Sequence, residues 1–169
     1  INLGSKLNGI VNYHTYVPGV KFPGIDDFFK RYTPKAKAAK VDELGYYLPP
    51  FNYAIGQMLE QAINATKSID DRKLADYFRK NEMKTIVGNF RFDADGERVP
   101  DHVITIQFRG LKDKDQEQFR NPARQVVIHP TEDKTGAVIV PFDKARKAKG
   151  RPHCRARRTL RRLRSSRPR

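Results

Sequence analysis

The chain has 169 residues, 31% of them charged, with a single cysteine and a formal net charge of +15. That length suits one domain of ordinary size. A mean hydropathy of −0.73, with no apolar run near the roughly 18 residues needed to cross a bilayer, excludes a membrane-spanning helix. One thiol, Cys154, excludes an internal disulfide and a cysteine-based zinc cage.

Residues 9–16 (GIVNYHTY) carry the β-branched and aromatic side chains of a strand, which Val17-Pro18-Gly19 ends. Residues 26–32 (DDFFKRY) read as a helix with acids in its first turn. Pro34 and the stretch 35–40 are expected to interrupt it and to lie exposed. After Pro49-Pro50, the residues Phe51, Ala54, Ile55, Met58, Leu59, Ala62 and Ile63 recur at three and four positions. This spacing predicts a helix of about four turns with one apolar stripe. Ser68-Ile69-Asp70-Asp71 reads as a variant capping box with Ser68 as N-cap, opening a helix to about Lys80 that buries Leu74, Ala75, Tyr77 and Phe78.

From Thr85 the period becomes two. Residues 85–92 and 103–109 are expected as strands of one hairpin, separated by the turn-rich segment 93–101. Residues 112–120 are charged and read as loop or short helix. Residues 125–129 and 137–140 are two more short apolar runs with strand character. The order of elements makes this an α/β chain. Its leading strand has no partner nearby in sequence, as expected if the rest of its sheet belongs to missing residues.

The basic charge is unevenly placed. Residues 144–169 hold 13 Lys and Arg and no acid; 34 less 13 leaves 21 basic against 19 acidic side chains, or +2, in residues 1–143. The body is nearly neutral. The segment from Arg151 onward has nine Arg and no Lys, while Lys outnumbers Arg before it. It lacks the aromatics that stack on unpaired bases, and so abrupt a shift reads as a stretch translated in a different frame or appended to the native end. Such a segment cannot bury enough apolar surface to fold alone. The alternative is a nucleic-acid-binding arm that attracts phosphates in a salt-dependent way. Ile1 opens the chain without a basic n-region or an apolar h-region, so no signal peptide is read here, and the chain is expected to be cut from something longer.

Chemical motifs are scarce. Asp93-Ala94-Asp95-Gly96-Glu97 superficially suggests a calcium loop, but placing Gly96 sixth puts Arg91 first and His102 twelfth, where carboxylates are needed. It is expected to be a hairpin turn in which Asp95 and Gly96 supply the positive-φ positions. His14, His102, His129 and His153 have no metal-ligand spacing. Nucleophile-elbow, Walker and dinucleotide-binding patterns are missing, and the pairs Asp26-Asp27 and Asp70-Asp71 sit at helix starts, where the helix dipole favours them. Catalysis, metal and cofactor are therefore not expected. Rigid aromatic bodies with polar tips suit a small-molecule cleft. Tyr13, His14, Tyr16, Tyr46 and Tyr47 are the candidate ligand-side residues, near a second aromatic group of Phe51 and Tyr53.

Taken together, residues 9–19 (GIVNYHTYVPG), 27–32 (DFFKRY), 45–65 (GYYLPPFNYAIGQMLEQAINA), 68–81 (SIDDRKLADYFRKN) and 85–96 (TIVGNFRFDADG) carry a resemblance, continued by 106–108, 125–130 and 141–146. The chain resembles the C-terminal part of ABC-transporter substrate-binding proteins of the branched-chain amino acid (Leu/Ile/Val-binding) family, which have the type I periplasmic binding fold. The resemblance covers roughly residues 5–147; its most specific parts are the helix–Ser-x-x-Asp–helix block and the G-x-F-x-F-D-x-x-G hairpin. It implies an α/β chain forming part of a two-lobed fold, each lobe a Rossmann-like sheet with flanking helices, with the N-terminal lobe largely missing. It further implies a periplasmic solute-binding protein with no enzymatic activity and no cofactor. Its partners would be an amino acid, amide or aromatic acid and the permease subunits of an importer, reached by domain closure around the ligand. Residues 1–147 would be this binding-protein domain. Residues 148–169, a disordered tail without counterpart in the family, would bind nucleic acid only if native.

Overall fold

A computed structural model describes residues 3–112 and 114–149 of the chain. The expected disorder of the 148–169 tail falls, apart from Ala148 and Lys149, outside the described residues. So do Cys154 and His153.

A 3-10 turn at Gly4–Leu7 leads into β1 (Val11–His14), α1 (Ile25–Ala38), α2 (Pro49–Thr66) and α3 (Asp71–Lys80). Then come β2 (Met83–Thr85), β3 (Gly88–Phe92), β4 (Arg98–Val99) and β5 (Ile104–Phe108). Two 3-10 turns, Gln116–Arg120 and Pro122–Arg124, precede β6 (Gln125–His129), and α4 (Phe142–Lys147) is the last described helix. The fold is mixed α/β. Its strands form two small antiparallel sheets, ordered β1-β5-β6 and β2-β3-β4. Among the described residues no two strands pair in parallel, because no helix carries the chain from one strand to a parallel neighbour.

The leading strand does find a partner, 90 or more residues later: β1 runs antiparallel to β5 with Val11 opposite Gln107 and His14 opposite Ile104. It lies at a sheet edge, with Val11 and Tyr13 exposed. The expected hairpin between 85–92 and 103–109 is not formed. Residues 85–92 instead turn at Ile86-Val87 between β2 and β3, and β3 pairs onward with β4. That turn is buried, so its backbone is satisfied from elsewhere. Ile86 N–H donates to the Gln57 side chain, Val87 N–H to Thr85 Oγ1, and Arg98 reaches the Val87 carbonyl.

Both sheets share one core. Ile104, Ile106 and Val127 of one and Met83 and Phe90 of the other belong to a single buried cluster with Ile25 and Phe28 of α1 and Ala54 of α2. Burial of this cluster is the main stabilising term, at about 1.5–3 kcal/mol for each large side chain.

The expected end of α1 at Pro34 is overturned: the helix continues to Ala38 with Pro34 inside it. Pro34 leaves the Lys30 carbonyl without its intrahelical donor, but the proline is on an exposed face where that carbonyl can be hydrated. Ala36, buried, anchors the last turn. A Schellman closure ends the helix, with Lys40 at φ 56°, Lys40 N–H on the Lys37 carbonyl and Val41 N–H on the Ala36 carbonyl.

On α2 the apolar stripe is split. Pro50, Ala54 and Ala62 are buried and Phe51 and Met58 pack on the core, while Ile55, Leu59 and Ile63 remain 53%, 40% and 37% exposed. The helix is rotated toward Gln57 and Gln61. Gln61 brackets Lys84, donating to its carbonyl at 2.9 Å and accepting from its N–H at 3.1 Å. Hydrogen bonds to the free edge of β2 thus turn α2 away from its most apolar orientation.

The N-cap of α3 is Asp70, not Ser68. Asp70 Oδ1 accepts from Lys73 N–H at 3.0 Å, and Ser68 Oγ accepts from Asp70 N–H. Asp70 is preferred because its extended backbone places its carboxylate over the orphan donors, a contribution of about 1 kcal/mol. In the 93–97 turn only Gly96, at φ 84°, takes a positive φ. Asp95 does not need one, because Asp93 Oδ1 caps the turn through the N–H groups of Asp95 and Glu97.

Residues 137–140 form no ladder. They are held by side chains of β5 and its exit: Gln107 exchanges two hydrogen bonds with Ile139, and Arg109 donates to the Ala137 carbonyl.

Candidate functional site

A cleft of about 510 Å³ opens between β1, the segment 42–47 and the floor supplied by Phe108 and Phe119. That volume is within the range of small-molecule sites. The floor is rigid: the Phe108 and Phe119 rings meet edge to face at 6.2 Å, and both are buried.

The far wall is set by a tight turn. Both carboxylate oxygens of Asp42 accept backbone N–H groups, from Leu44 at 3.0 Å and Gly45 at 3.2 Å, and Tyr32 donates its phenol proton to the Asp42 carbonyl at 2.7 Å. Gly45 takes a positive φ of 57° against the Tyr32 ring. The chain leaves this turn with Tyr46 and Tyr47 on the cleft. Tyr46 is locked from behind by edge-on contacts with Phe29 and Tyr16. Burial holds its phenol above the ordinary value, while the nearby Arg120, paired to Glu117 at 2.7 Å, acts the other way.

Of the five aromatic and histidine candidates, four line the cleft: Tyr13, His14, Tyr46 and Tyr47. Tyr13 and Tyr47 stand exposed at the rim. The fifth, Tyr16, lies in the core, stacked on Phe29 at 5.2 Å, and burial raises its phenol well above the ordinary value. Phe51 packs on the core, and Tyr53 packs on Phe28 and Arg31 of α1. Thr15, Phe108, Phe119 and Gln125 also line the cleft and are not among the ligand-side residues singled out from the sequence. Phe119 in particular sits in a charged stretch with no periodic pattern.

Two polar atoms at the cleft are unusual. His14 Nε2 and Thr15 Oγ1 are both buried and have no hydrogen-bond partner within the protein. The His14 ring stands edge-on to Phe108 at 6.2 Å, and burial pushes its pKa below the ordinary 6.5. Gln125, by contrast, spends its amide on the Phe119 carbonyl.

The other histidines lie apart. His102 packs on Phe22 at 4.8 Å and faces Asp133 at 3.5 Å. Burial lowers its pKa, with Arg98 acting the same way and Asp133, Glu132 and Asp101 acting against it. His129 is exposed at the end of β6. Among the described residues no three His, Cys, Asp or Glu side chains gather where they could hold a metal ion, and no helix is long and apolar enough to cross a membrane.

These two imidazoles give the fold an acid limit. Each has a folded pKa below its unfolded value near 6.5, so the unfolded chain binds the proton first as pH falls. Their contribution is fully present above about pH 6.5 and is lost as pH drops through the lower folded values. The thermal midpoint is expected to fall from about pH 7 to about pH 5, and less steeply in His14→Phe, whose ring has no proton to take up. Equal slopes in the two proteins would contradict this.

Among the described residues the cleft has an aromatic rim and an apolar floor, an arrangement suited to binding a small molecule. No protein-family model matches the chain, and no match is found among curated proteins.

Proposed function

We propose that the chain is part of an extracytoplasmic solute-binding protein of the branched-chain amino acid transport type, which delivers an amino acid or a related small molecule to an ABC importer. The observation that carries this reading is the composition of the cleft. Its Tyr13, His14, Tyr46 and Tyr47 lie within 9–19 and 45–65, two of the segments that carry the family resemblance. In such proteins a ligand is held between two lobes by fixed polar groups and aromatic walls, and closure presents the loaded protein to the permease.

The uncovered apolar surface supports the same reading. Val11 and Tyr13 on β1, Tyr47 and Leu48 before α2, and Ile55, Leu59 and Ile63 along α2 are all exposed. Exposed apolar side chains on a strand edge and along a helix suit faces that pack against something else, which for this reading is the remainder of the parent protein.

A cleft supplied by one lobe alone buries too little of a ligand to hold it tightly. Calorimetric titration of the 169-residue chain with leucine, other amino acids, small amides and aromatic acids is expected to show no binding tighter than roughly 1 mM. Micromolar affinity would mean that the cleft is complete as it stands, and that the reading as one part of a two-lobed receptor is wrong.

A further inference from the structure

Gly56 lies in the middle of α2, where a glycine destabilises a helix relative to alanine. Among the described residues nothing calls for it. It is exposed, and apart from its own helix backbone and chain neighbours no described atom lies within 4 Å of where a Cβ would stand. Beside it run Ile55, Leu59 and Ile63, all exposed. Side chains four apart form one ridge along a helix surface. Asn52, Gly56 and Glu60, also exposed, form the neighbouring ridge, which has no side chain at its centre. The groove between the two ridges is therefore open at Gly56. An apolar ridge and a hollow that can receive it lie side by side on one helix, so the surface is complementary to its own copy. About a two-fold axis each ridge would lie beside its equal, with Leu59 of each copy over Gly56 of the other. Ridges of this spacing interdigitate when the helices cross at about −50°. Glu60 is the single charged residue of α2, so the crossing itself brings few like charges together.

We propose that the 169-residue chain associates with a second copy of itself as a two-fold dimer through α2, with Ile55, Leu59 and Ile63 of each copy packed across Gly56 of the other. The remainder of a parent protein, to which exposed faces are assigned above, would compete for the same stripe.

Sedimentation equilibrium of the 169-residue chain tests this over a range from about 10 to about 500 μM. Roughly 0.3 M salt screens the repulsion between copies, each of which carries a net charge of +15. A single helix crossing falls below the roughly 1,200 Å² of a stable complex. A reversible dimer with a dissociation constant of about 100 μM is therefore expected, tightening as salt rises. Glutamine is a better helix former than glycine and meets open space at position 56. Gly56→Gln is thus expected to raise the thermal midpoint of dilute protein while weakening the dimer at least about tenfold, because its side chain fills the groove. Leu59→Gln is expected to weaken the dimer to a similar degree. A chain that stays monomeric at about 500 μM would overturn the proposal, and so would a dimer of unchanged affinity in Gly56→Gln. Association that weakens as salt rises, or that nuclease abolishes, would overturn it too, because it would belong to the arginine-rich segment and bound nucleic acid. The solute-site reading stands in each case, since no residue of α2 lines the cleft.

Discussion

Gln107→Leu is expected to destabilise the protein by about 3–5 kcal/mol. Gln107 lies in β5 and is 1% exposed, a position where an isolated amide would be costly. Every polar atom of its side chain is used. Oε1 accepts from the Arg109 guanidinium at 3.1 and 2.7 Å and from Ile139 N–H at 3.0 Å. Nε2 donates to the Ile139 carbonyl at 3.0 Å and to the Gly9 carbonyl at 3.2 Å. Leucine fills a similar space and keeps none of these bonds. Arg109, itself buried, would lose the oxygen that two of its donors share and keep the Ala137 carbonyl, and a buried cation short of acceptors is costly. Residues 137–140 would lose most of what holds them, since they have no ladder of their own. Urea unfolding followed by circular dichroism checks this: the midpoint should fall steeply, and a variant within about 1 kcal/mol of the parent would show that the network is peripheral.

The second large effect is at Gly45. A Cβ there would overlap Cε1 and Cζ of the Tyr32 ring, on a backbone already at φ 57°. Gly45→Ala therefore combines left-handed strain with overpacking, together about 2–4 kcal/mol. The consequence reaches the cleft, because Tyr32 and Asp42 shape the turn from which Tyr46 and Tyr47 emerge. The two terms can be separated. In a Tyr32→Leu background the ring is gone, and Gly45→Ala should cost only about 1 kcal/mol, the conformational part alone. Additive effects in that cycle would rule out the steric account.

Local pattern carried the reading wherever a segment's partners were ordinary. β1, β5, β6 and the existence of α2 and α3 follow from period and composition, and four of the five ligand-side candidates, which stand out in aromatic clusters, do line the cleft. Three of the misreadings share one cause: a side chain distant in sequence replaced a backbone partner. Residues 85–92 have strand character throughout, and nothing local marks Ile86-Val87 as a turn; Gln57, 29 positions away, takes the Ile86 N–H. Residues 137–140 look like a strand, yet Gln107 and Arg109 do what a neighbouring strand would do. The α2 stripe is apolar enough to be buried whole, but Gln57 and Gln61 turn it toward β2 and leave Ile55, Leu59 and Ile63 uncovered. The cleft floor was hidden for a related reason. Phe119 reaches it only through the 3-10 turn at Gln116–Arg120, capped by Asp115.

The uncovered helix face, the edge strand with its exposed aromatic and the open cleft have a single explanation in the proposed reading, that a second lobe packs against this one in the parent protein. The sequence of the DNA flanking this reading frame tests that most directly. The expected result is an upstream in-frame region encoding a secretion signal and a second α/β lobe, with genes for a permease and an ATPase beside it. A reading frame that starts at a methionine codon immediately before Ile1, with no transport genes nearby and the arginine-rich segment intact as its native end, would contradict it.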